Sequence, residues 1–288
     1  MANKKLKEEL TKNASYWKTR REIQSRDKLL SRSIEKAERE FKKIYKGFSD
    51  DLFDMLKGEI EEMQKENHSE THEFNYVKFA DMKKQIDRKI REMGDRERTI
   101  MSDGMIDVYK QSQKIVDTYN KWTTLPVGKD KDIRRIIDSV WCPEGNQLNW
   151  SQRLWMHQQE LASRLAQDIT EAVESGIPLS EFSKKLKKET GKEYYQVDRL
   201  YRTENAHIAT VATNDRYKQA GVKQYQFVCF PGEYTCPECK DLDGRIYNLD
   251  DQIIGQNCPP IHPNCRCTTI AVLTPDILDL KLDNKEED

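Results

Sequence analysis

The chain has 288 residues, of which 34% are charged and 36% apolar, and its formal net charge is −1. So low an apolar fraction predicts an extended shape with a thin core over part of the chain, and the balanced charge excludes a general attraction to nucleic acid. The opening MANKKLKEEL lacks the apolar segment of a secretory signal, and no apolar run approaches the roughly 20 residues that span a bilayer. Seven cysteines in such a chain favour a reducing cytosol, where clustered Cys and His indicate a metal site rather than disulfides.

The N-terminal part of the chain carries a helical pattern. Within residues 15–63, apolar side chains recur every three or four positions, which places them on one stripe of a helix and resembles a short coiled-coil seam: Leu30, Ile34, Ala37, Phe41, Ile44, Phe48, Leu52 and Met55. Gly47 predicts a break in this helix, because glycine lowers helix propensity. Residues 74–121 predict further helix, interrupted near Gly94 and again at Gly104.

Charge is segregated along these helices. Residues 1–46 contain 15 Lys and Arg against 7 Asp and Glu, whereas residues 47–73 contain 2 against 9. Two interpretations fit this pattern: solvated helix faces that attract each other in a hairpin, or a docking arm for an acidic partner or for DNA. Both make the N-terminal part an interaction element rather than a catalytic one.

Turn-forming residues in the middle of the chain predict a domain boundary at 124–148. They divide the chain into a charged helical arm over 1–123, a linker, a C-terminal domain over 149–273, and an acidic tail over 274–288. Two features outside the C-terminal domain are predicted to have structural rather than metal-binding roles. His68 and His72 belong to a solvated loop, since no third ligand follows at a metal-binding interval, and the isolated Cys142 is a small buried apolar residue.

The C-terminal domain begins as helices and ends as strands. Apolar spacing predicts one helix over 151–175 with Trp155, Leu161, Leu165, Ile169 and Val173 on its apolar stripe, a second starting at Leu179, and a third from Tyr194 to Ala220, before Gly221. The period then changes to two, which predicts a strand over 222–230 and shorter strands over 245–247 and 266–272. The predicted fold is mainly α, with a small α+β C-terminal domain that ends in a β-lobe held by zinc.

The zinc prediction rests on two paired spacings. Cys236 and Cys239 form a C-x₂-C knuckle, and His262 and Cys265 repeat the interval, which gives a Cys₃His set suited to tetrahedral Zn²⁺. The sulfur content excludes Mg²⁺ and Ca²⁺, which prefer oxygen. Cys267 and Cys258 are alternatives for one of these four ligands, while the alternation of its strand makes Cys229 a core residue first and a ligand second.

The predicted zinc is structural rather than catalytic. Four protein ligands are available, whereas a catalytic zinc keeps one position open. The order of motifs also departs from the zinc deaminases, which need H-x-E before their P-C-x-x-C. The lobe 231–273 has few large apolar residues, so the binding energy of a structural zinc, on the order of 10–16 kcal/mol, would organise it. The expectation is therefore a protein that is not an enzyme.

One family resemblance emerges from these motifs in combination. "RTE" at 202–204, "NDRYKQAGVKQYQF", "TCPECKDLDGRIY" and "PPIHPNCRC" together resemble the C-terminal domain of the phage Mu F-like minor head proteins, also called phage head morphogenesis proteins. The resemblance covers roughly 150–273, with Glu233 near the place where this family often has an Asp. It implies a protein inside the capsid, assembled in the bacterial host cytoplasm, that contacts the portal and influences DNA packaging or ejection. Scaffold, major capsid protein and packaged DNA are further implied partners, and no membrane anchor is expected.

Arg202 and Glu204 permit two interpretations. They either belong to a partner or catalytic surface, or fix their helix to the zinc-bearing loop through charge-assisted hydrogen bonds. The structural role is favoured, because no nucleophile and base accompany them. Two functions of other classes stay open: a zinc-dependent nucleic-acid enzyme, and a zinc-ribbon module that binds nucleic acid through the basic residues 1–46.

Overall fold

The structure is a computed structural model that describes residues 2–67, 75–122, 126, 128–141, 147–230 and 235–273, with only the helical backbone for 2–17 and Asn67. Several predictions fall outside these ranges. They are the loop assignment of His68 and His72, the burial of Cys142, the carboxylate at Glu233, and the acidic tail.

Two long helices form the N-terminal part. Helix α1 covers Ala2–Asn67 and helix α2 covers Tyr76–Asn120, so the breaks predicted at Gly47, Gly94 and Gly104 are wrong. At Gly94 the glycine has a packing role, because a Cβ there would lie 2.2 Å from the side-chain nitrogen of Gln158. A single helical glycine costs only about 1 kcal/mol relative to alanine, which burial of the surrounding apolar stripe offsets.

Three further helices follow. Helix α3 covers Asp130–Ile137, helix α4 covers Trp150–Glu174, and helix α5 covers Leu179–Gln219. Asn149 caps α4 in a reciprocal capping box with Gln152, an arrangement that satisfies two N–H groups at the start of a helix.

Two details of these helices correct the sequence predictions. Trp155, placed on the apolar stripe of α4, is 54% exposed, whereas Trp150 and Leu154 are buried. The helix predicted to start at Tyr194 is the second half of α5, which runs unbroken from Leu179. The predicted end before Gly221 is confirmed, since Gly221 has a φ of +71° and glycine adopts that conformation without strain.

A small antiparallel sheet follows α5. Strand β1 covers Gln224–Val228, β2 covers Ile246–Asn248 and β3 covers Thr268–Val272, in the order β2-β1-β3. A short helix, α6 over Pro237–Leu242, lies between β1 and β2 in the chain, and a 3-10 turn over Leu249–Asp251 follows β2. Tyr225 and Phe227 are buried on the same face of β1, as the alternation predicts. The mainly α fold with a small C-terminal α+β part is therefore confirmed.

The chain forms two compact units. The first consists of 1–34, 103–147 and 202–288, and it contains the sheet; the second consists of 35–102 and 148–201. Helices α1, α2 and α5 each contribute to both units. The domain boundary at 124–148 stays a prediction.

In the second unit, α1, α2, α4 and α5 bury an apolar core around Phe41, Leu52, Ile86, Leu161 and Phe182.

In the first unit, a buried arginine joins α1 to β3. The Arg26 guanidinium donates to the Thr269 carbonyl at 2.9 Å and to the Thr268 hydroxyl at 3.0 Å, and it pairs with the Glu22 carboxylate one turn earlier. Both Arg26 and Glu22 are buried. On the surface of the same unit, Arg266 pairs with Asp27 at 2.7 Å. The start of the long helix is thus attached to the strand that closes the β-lobe.

Candidate metal centre

The C-x₂-C knuckle is formed by the start of α6. Cys236 is the N-cap of this helix, and Pro237 follows as its first residue, a position that proline favours because its missing N–H has no helical partner there. The Cys236 sulfur accepts a hydrogen bond from the Cys239 N–H at 3.4 Å. The first turn of α6 thus fixes the positions of both cysteines of the knuckle.

The H-x₂-C turn presents the imidazole in the tautomer that a metal site needs. His262 Nδ1 lies 2.8 Å from the Pro263 carbonyl oxygen. Since a carbonyl oxygen only accepts hydrogen bonds, Nδ1 carries the proton, and the lone pair of Nε2 is available to a metal ion. Metal-bound histidines usually donate a hydrogen bond in this way from the ring nitrogen that does not touch the metal. Cys265 closes the turn by donating its N–H to the His262 carbonyl at 3.1 Å.

The two turns bring four donor side chains together, with Cys267 close by; Cys229 lies at the edge, and its thiol donates to the Cys239 carbonyl at 2.8 Å. His262 Nε2 lies 3.2 Å from the Cys236 sulfur and 3.4 Å from the Cys239 sulfur. The Cys239 sulfur lies 3.8 Å from that of Cys265. Cys267 is the third member of a group with these last two, in which all sulfurs lie within 4.8 Å of one another, and the Cys229 sulfur lies 3.7 Å from that of Cys267.

These distances fit a zinc ion. With zinc–sulfur bonds of about 2.3 Å and zinc–nitrogen bonds of about 2.0 Å, tetrahedral angles separate two sulfurs by about 3.8 Å and a sulfur from a nitrogen by about 3.5 Å. The cluster is therefore able to hold a metal ion. Cys236, Cys239, His262 and Cys265, the four predicted ligands, all belong to it, while their assignment as the ligand set stays a prediction.

Hydrogen bonds within the cluster polarise its thiols. The hydrogen bond from Cys239, followed by that from Cys267, lowers the pKa of Cys265 well below the ordinary thiol value. The same bonds to Cys265, together with burial, raise the pKa of Cys239 and of Cys267. Cys239 and Cys265 are buried, so a negative sulfur here is favourable only beside a donor or a cation.

The remaining described cysteines divide between this cluster and the core. Cys258 is buried in another apolar cluster, with Tyr225 and Tyr217, and its sulfur lies 3.1 Å from the side-chain nitrogen of Gln252. Cys229 is half-buried and packs on the Phe227 face of β1, which agrees with its predicted core role and also brings it next to Cys267.

The R-T-E segment reaches the metal turn through its middle residue. The Thr203 hydroxyl on α5 accepts a hydrogen bond of 3.3 Å from the backbone N–H of Asn264, which lies between His262 and Cys265. Asn264 has a φ of +61°, a left-handed conformation that asparagine tolerates better than most residues. Thr203 therefore attaches this helix to the metal-bearing loop, while the role predicted for Arg202 and Glu204 stays a prediction.

Glu204 takes part in a polar contact that sequence reasoning missed. The Trp141 indole N–H donates to the Glu204 carboxylate at 2.8 Å, and the Trp141 ring stacks on the His207 imidazole with centroids 3.8 Å apart. Glu204 and His207 are one helical turn apart on α5 and both are buried. Their i, i+3 spacing was the available signal, but the sequence did not identify Trp141 as their partner.

One family is similar to this part of the chain. Residues 163–270 match the family described as Phage Mu protein F like protein. The match includes α5, β1, β2 and the Cys/His cluster, and the predicted resemblance is confirmed over this segment.

A curated relative is an enzyme by name. The chain is 26% identical over 152 residues to the NAD(+)–arginine ADP-ribosyltransferase EFV of Enterococcus faecalis; the match covers 48% of this chain and 31% of the relative. The chain therefore spans about a third of that protein's length. No solved structure matches the chain.

Within the described residues, none of the helices has an apolar stretch long enough to cross a bilayer.

Proposed function

We propose that this chain is a minor head protein of a bacteriophage that acts in head morphogenesis, contacts the portal inside the procapsid and influences DNA packaging or ejection. The observation that carries the proposal is the family match over 163–270, a segment that contains the β-lobe with its Cys/His cluster. Such a protein would assemble in the host cytoplasm and remain inside the capsid, with scaffold or major capsid protein as further partners.

We further propose that the cluster binds Zn²⁺ in a structural role and that the protein is not an enzyme. The support is the composition of the small core below the cluster, where Cys239, Cys265 and Phe227 are the buried members. Because the metal ligands are themselves core residues, the ion would replace the apolar contacts that this lobe lacks. Zinc supplies on the order of 10–16 kcal/mol in comparable small sites.

The assembly role is tested in the phage that encodes the chain. An amber mutant of the gene should yield fewer filled heads, and the wild-type chain should be found by mass spectrometry in purified virions and in portal complexes isolated from procapsids. Complementation with the full-length chain should restore head yield, while a Cys236→Ser/Cys239→Ser variant should not. A chain that is absent from both virions and procapsids would refute the proposal.

Zinc-dependent action on nucleic acid, or binding of it by a zinc ribbon, is the second candidate. The observation that favours it is the basic composition of residues 1–46. Salt-dependent DNA binding that is lost when the lysines and arginines of this segment are replaced by glutamine would support the binding form. DNA cleavage that requires the bound zinc would support the enzymatic form.

The name of the curated relative motivates one more assay. The purified chain is incubated with labelled NAD(+) and arginine-containing protein, and transfer of label is measured. Transfer by the wild-type chain would overturn the proposal that this protein is not an enzyme, without affecting its place in the virion.

A further inference from the structure

Two cysteines are left beside the metal site once it has its four ligands. A structural zinc takes four ligands in a tetrahedron, and the proposed function assigns them to the C-x₂-C knuckle and the H-x₂-C turn. Cys229 and Cys267 then remain, and their sulfurs lie 3.7 Å apart. Both are half-buried, whereas Cys239 and Cys265 of the metal site are buried.

The sheet places these two cysteines opposite each other. Strands β1 and β3 are antiparallel, and the last pair of their ladder joins Val228 to Thr268. Cys229 follows Val228 and Cys267 precedes Thr268, so the cysteines occupy the next facing positions of the same register. Facing residues of an antiparallel pair have Cα atoms about 4.5–5.5 Å apart, which lies within the roughly 4.4–6.8 Å that a disulfide spans. Rotation of the side chains is therefore enough to bring the two sulfurs to bonding distance.

A small oxidant is able to reach this pair. Cys229 lines a surface cavity of about 420 Å³ between α1, β1 and α6, and its thiol donates to the Cys239 carbonyl at the edge of the metal site. Within the described part of the chain, Cys229 belongs to neither of the two groups of side chains that could hold a metal ion. Cys267 belongs to one of them, with Cys239 and Cys265, so coordination by Cys267 is the alternative that a test has to separate.

We propose that Cys229 and Cys267 are a redox pair, which a small-molecule disulfide converts to a cross-link between β1 and β3 after the virion leaves its host. This inference rests on the proposed function, since it takes zinc to be held by the other four donors and the chain to remain in the capsid. A bacterial cytosol keeps thiols reduced, whereas disulfides persist outside it. The pair is therefore reduced during assembly and oxidised in the released virion.

The exchange is balanced with oxidised glutathione as the oxidant. The Cys229 sulfur attacks one sulfur of the glutathione disulfide, which forms a mixed disulfide and releases one glutathione. The Cys267 sulfur then attacks the Cys229 sulfur of the mixed disulfide and releases the second glutathione. The two protein thiols give up two electrons and two protons, and these end on the two glutathione thiols.

The cross-link encloses the whole metal site in one loop. All four proposed zinc ligands lie between Cys229 and Cys267 in the chain. A disulfide acts mainly by restricting the unfolded chain through such a loop. The oxidised pair therefore holds the two ends of the lobe together without using any of the four proposed ligands.

Oxidation of the purified full chain gives the first test. Zinc-loaded protein is incubated with oxidised glutathione, alkylated, digested with trypsin without reduction, and analysed by mass spectrometry. Cleavage after Arg266 separates Cys265 from Cys267, and fragmentation of the linked peptides should place the bond between Cys229 and Cys267. Elemental analysis should find one zinc per chain both before and after oxidation.

Two variants accompany the wild-type chain. Cys258→Ser is the matched control, because Cys258 is buried in another cluster, and it should form the cross-link as the wild type does. Cys229→Ser and Cys267→Ser should each keep one zinc and form no cross-link.

The outcomes separate this inference from the proposed function. Retained zinc without the cross-link overturns the redox pair and leaves the structural zinc intact. Release of zinc as the cross-link forms, or a zinc-free Cys267→Ser chain beside a zinc-loaded Cys229→Ser chain, would identify Cys267 as a ligand and overturn the pair. A chain that forms the cross-link but binds no zinc overturns the structural zinc instead.

Virions give a second test that depends on no variant. Alkylation of purified virions without reduction should leave Cys229 and Cys267 unmodified and linked to each other. Procapsids alkylated as the cells are lysed should carry the label on both cysteines. Labelling of both cysteines in the released virion would overturn the oxidation step.

Discussion

At the scale of single residues, the metal turn depends on a hydrogen bond from outside it. Asn264 holds a left-handed backbone conformation between two ligands, and its N–H is directed to the Thr203 hydroxyl on α5. Thr203 is buried, so the bond is protected from water. A buried hydrogen bond of this type contributes about 0.5–1.5 kcal/mol, and here it connects the turn between His262 and Cys265 to α5.

Replacement of Thr203 by valine tests this contact. Thr203→Val keeps the shape but removes the acceptor, so we expect zinc affinity to fall by about threefold to tenfold, as a loss of ~1 kcal/mol implies. The measurement is competition with a chromophoric chelator.

Thr213→Val is the control for that variant, because the Thr213 hydroxyl donates within α5 to the Ala209 carbonyl at 2.8 Å. An equal loss of zinc affinity in both variants would show that α5, rather than the contact with the turn, is responsible.

At the scale of elements, the helices are joined by buried polar groups as well as apolar stripes. In the second unit, the Glu97 carboxyl on α2 accepts a hydrogen bond of 3.1 Å from Gln158 on α4. Burial, which outweighs the hydrogen bond from Gln158 and the nearby Tyr45 hydroxyl, raises the pKa of Glu97 from 4.5 to about 7. Burial and the nearby Glu97 also raise the pKa of Glu193 on α5 to about 8, although Arg164 lies 3.1 Å away.

The Glu97 shift predicts the direction of a pH effect. A carboxyl whose pKa is higher in the folded than in the unfolded state stabilises the fold below pH 4.5, and this contribution is lost as the pH rises through about 7. Glu97→Gln is neutral at every pH, so its free energy of unfolding relative to wild type should rise by roughly 3 kcal/mol between pH 4.5 and 8. Urea unfolding of both proteins across this range measures the difference, in which the pH dependence of metal binding cancels. A difference in the free energy of unfolding that does not change with pH would contradict the raised pKa of Glu97.

The attachment of α1 to β3 gives a prediction for the first unit. Arg26→Met leaves the buried Glu22 carboxylate without its cation and removes the bonds to Thr268 and Thr269. Removing one partner of a buried ion pair lowers the free energy of unfolding by about 3–5 kcal/mol, a loss that chemical denaturation should detect.

The double variant Glu22→Gln/Arg26→Met should recover part of this loss, because no buried charge is then unpaired. Lys28→Ala, at an exposed position of the same helix, should change stability by less than about 0.5 kcal/mol. Equal effects of Arg26→Met and Lys28→Ala would mean that the ion pair contributes little.

At the scale of the whole molecule, metal binding should stabilise the two units unequally. The cluster, the sheet and the Arg26 attachment all belong to the first unit. Chelation, or Cys239→Ser, should therefore increase hydrogen exchange in β1, β3 and the residues of α1 near Arg26, while α4 in the second unit keeps its protection. Hydrogen exchange followed by mass spectrometry measures this, and unchanged protection of the sheet after complete zinc removal would refute a structural role for the metal.

Much of this protein follows from local patterns in its sequence. The 3.6-residue period over 15–63 and 151–175 specified helices, and the period of two after Gly221 specified the sheet. Each period arises because one face of the element is buried, and residues on that face recur at short, regular intervals along the chain. The C-x₂-C and H-x₂-C spacings predicted Cys236, Cys239, His262 and Cys265 as neighbours, since each pair is formed within a single turn. Helix continuity was less predictable: Gly94 is a weak helix former, but close packing against Gln158 makes it suitable there.

Only the tertiary structure decided which distant groups meet. It placed Cys267 beside the cluster and Cys258 in another core, although the sequence offered both as alternative ligands, and it brought Cys229 next to Cys267. It also paired Thr203 with Asn264, Glu204 with Trp141 and Arg26 with β3. The physical reason is that a turn or a helical face is fixed by residues a few positions apart, whereas contacts across more than sixty residues depend on how all the helices and strands pack at once.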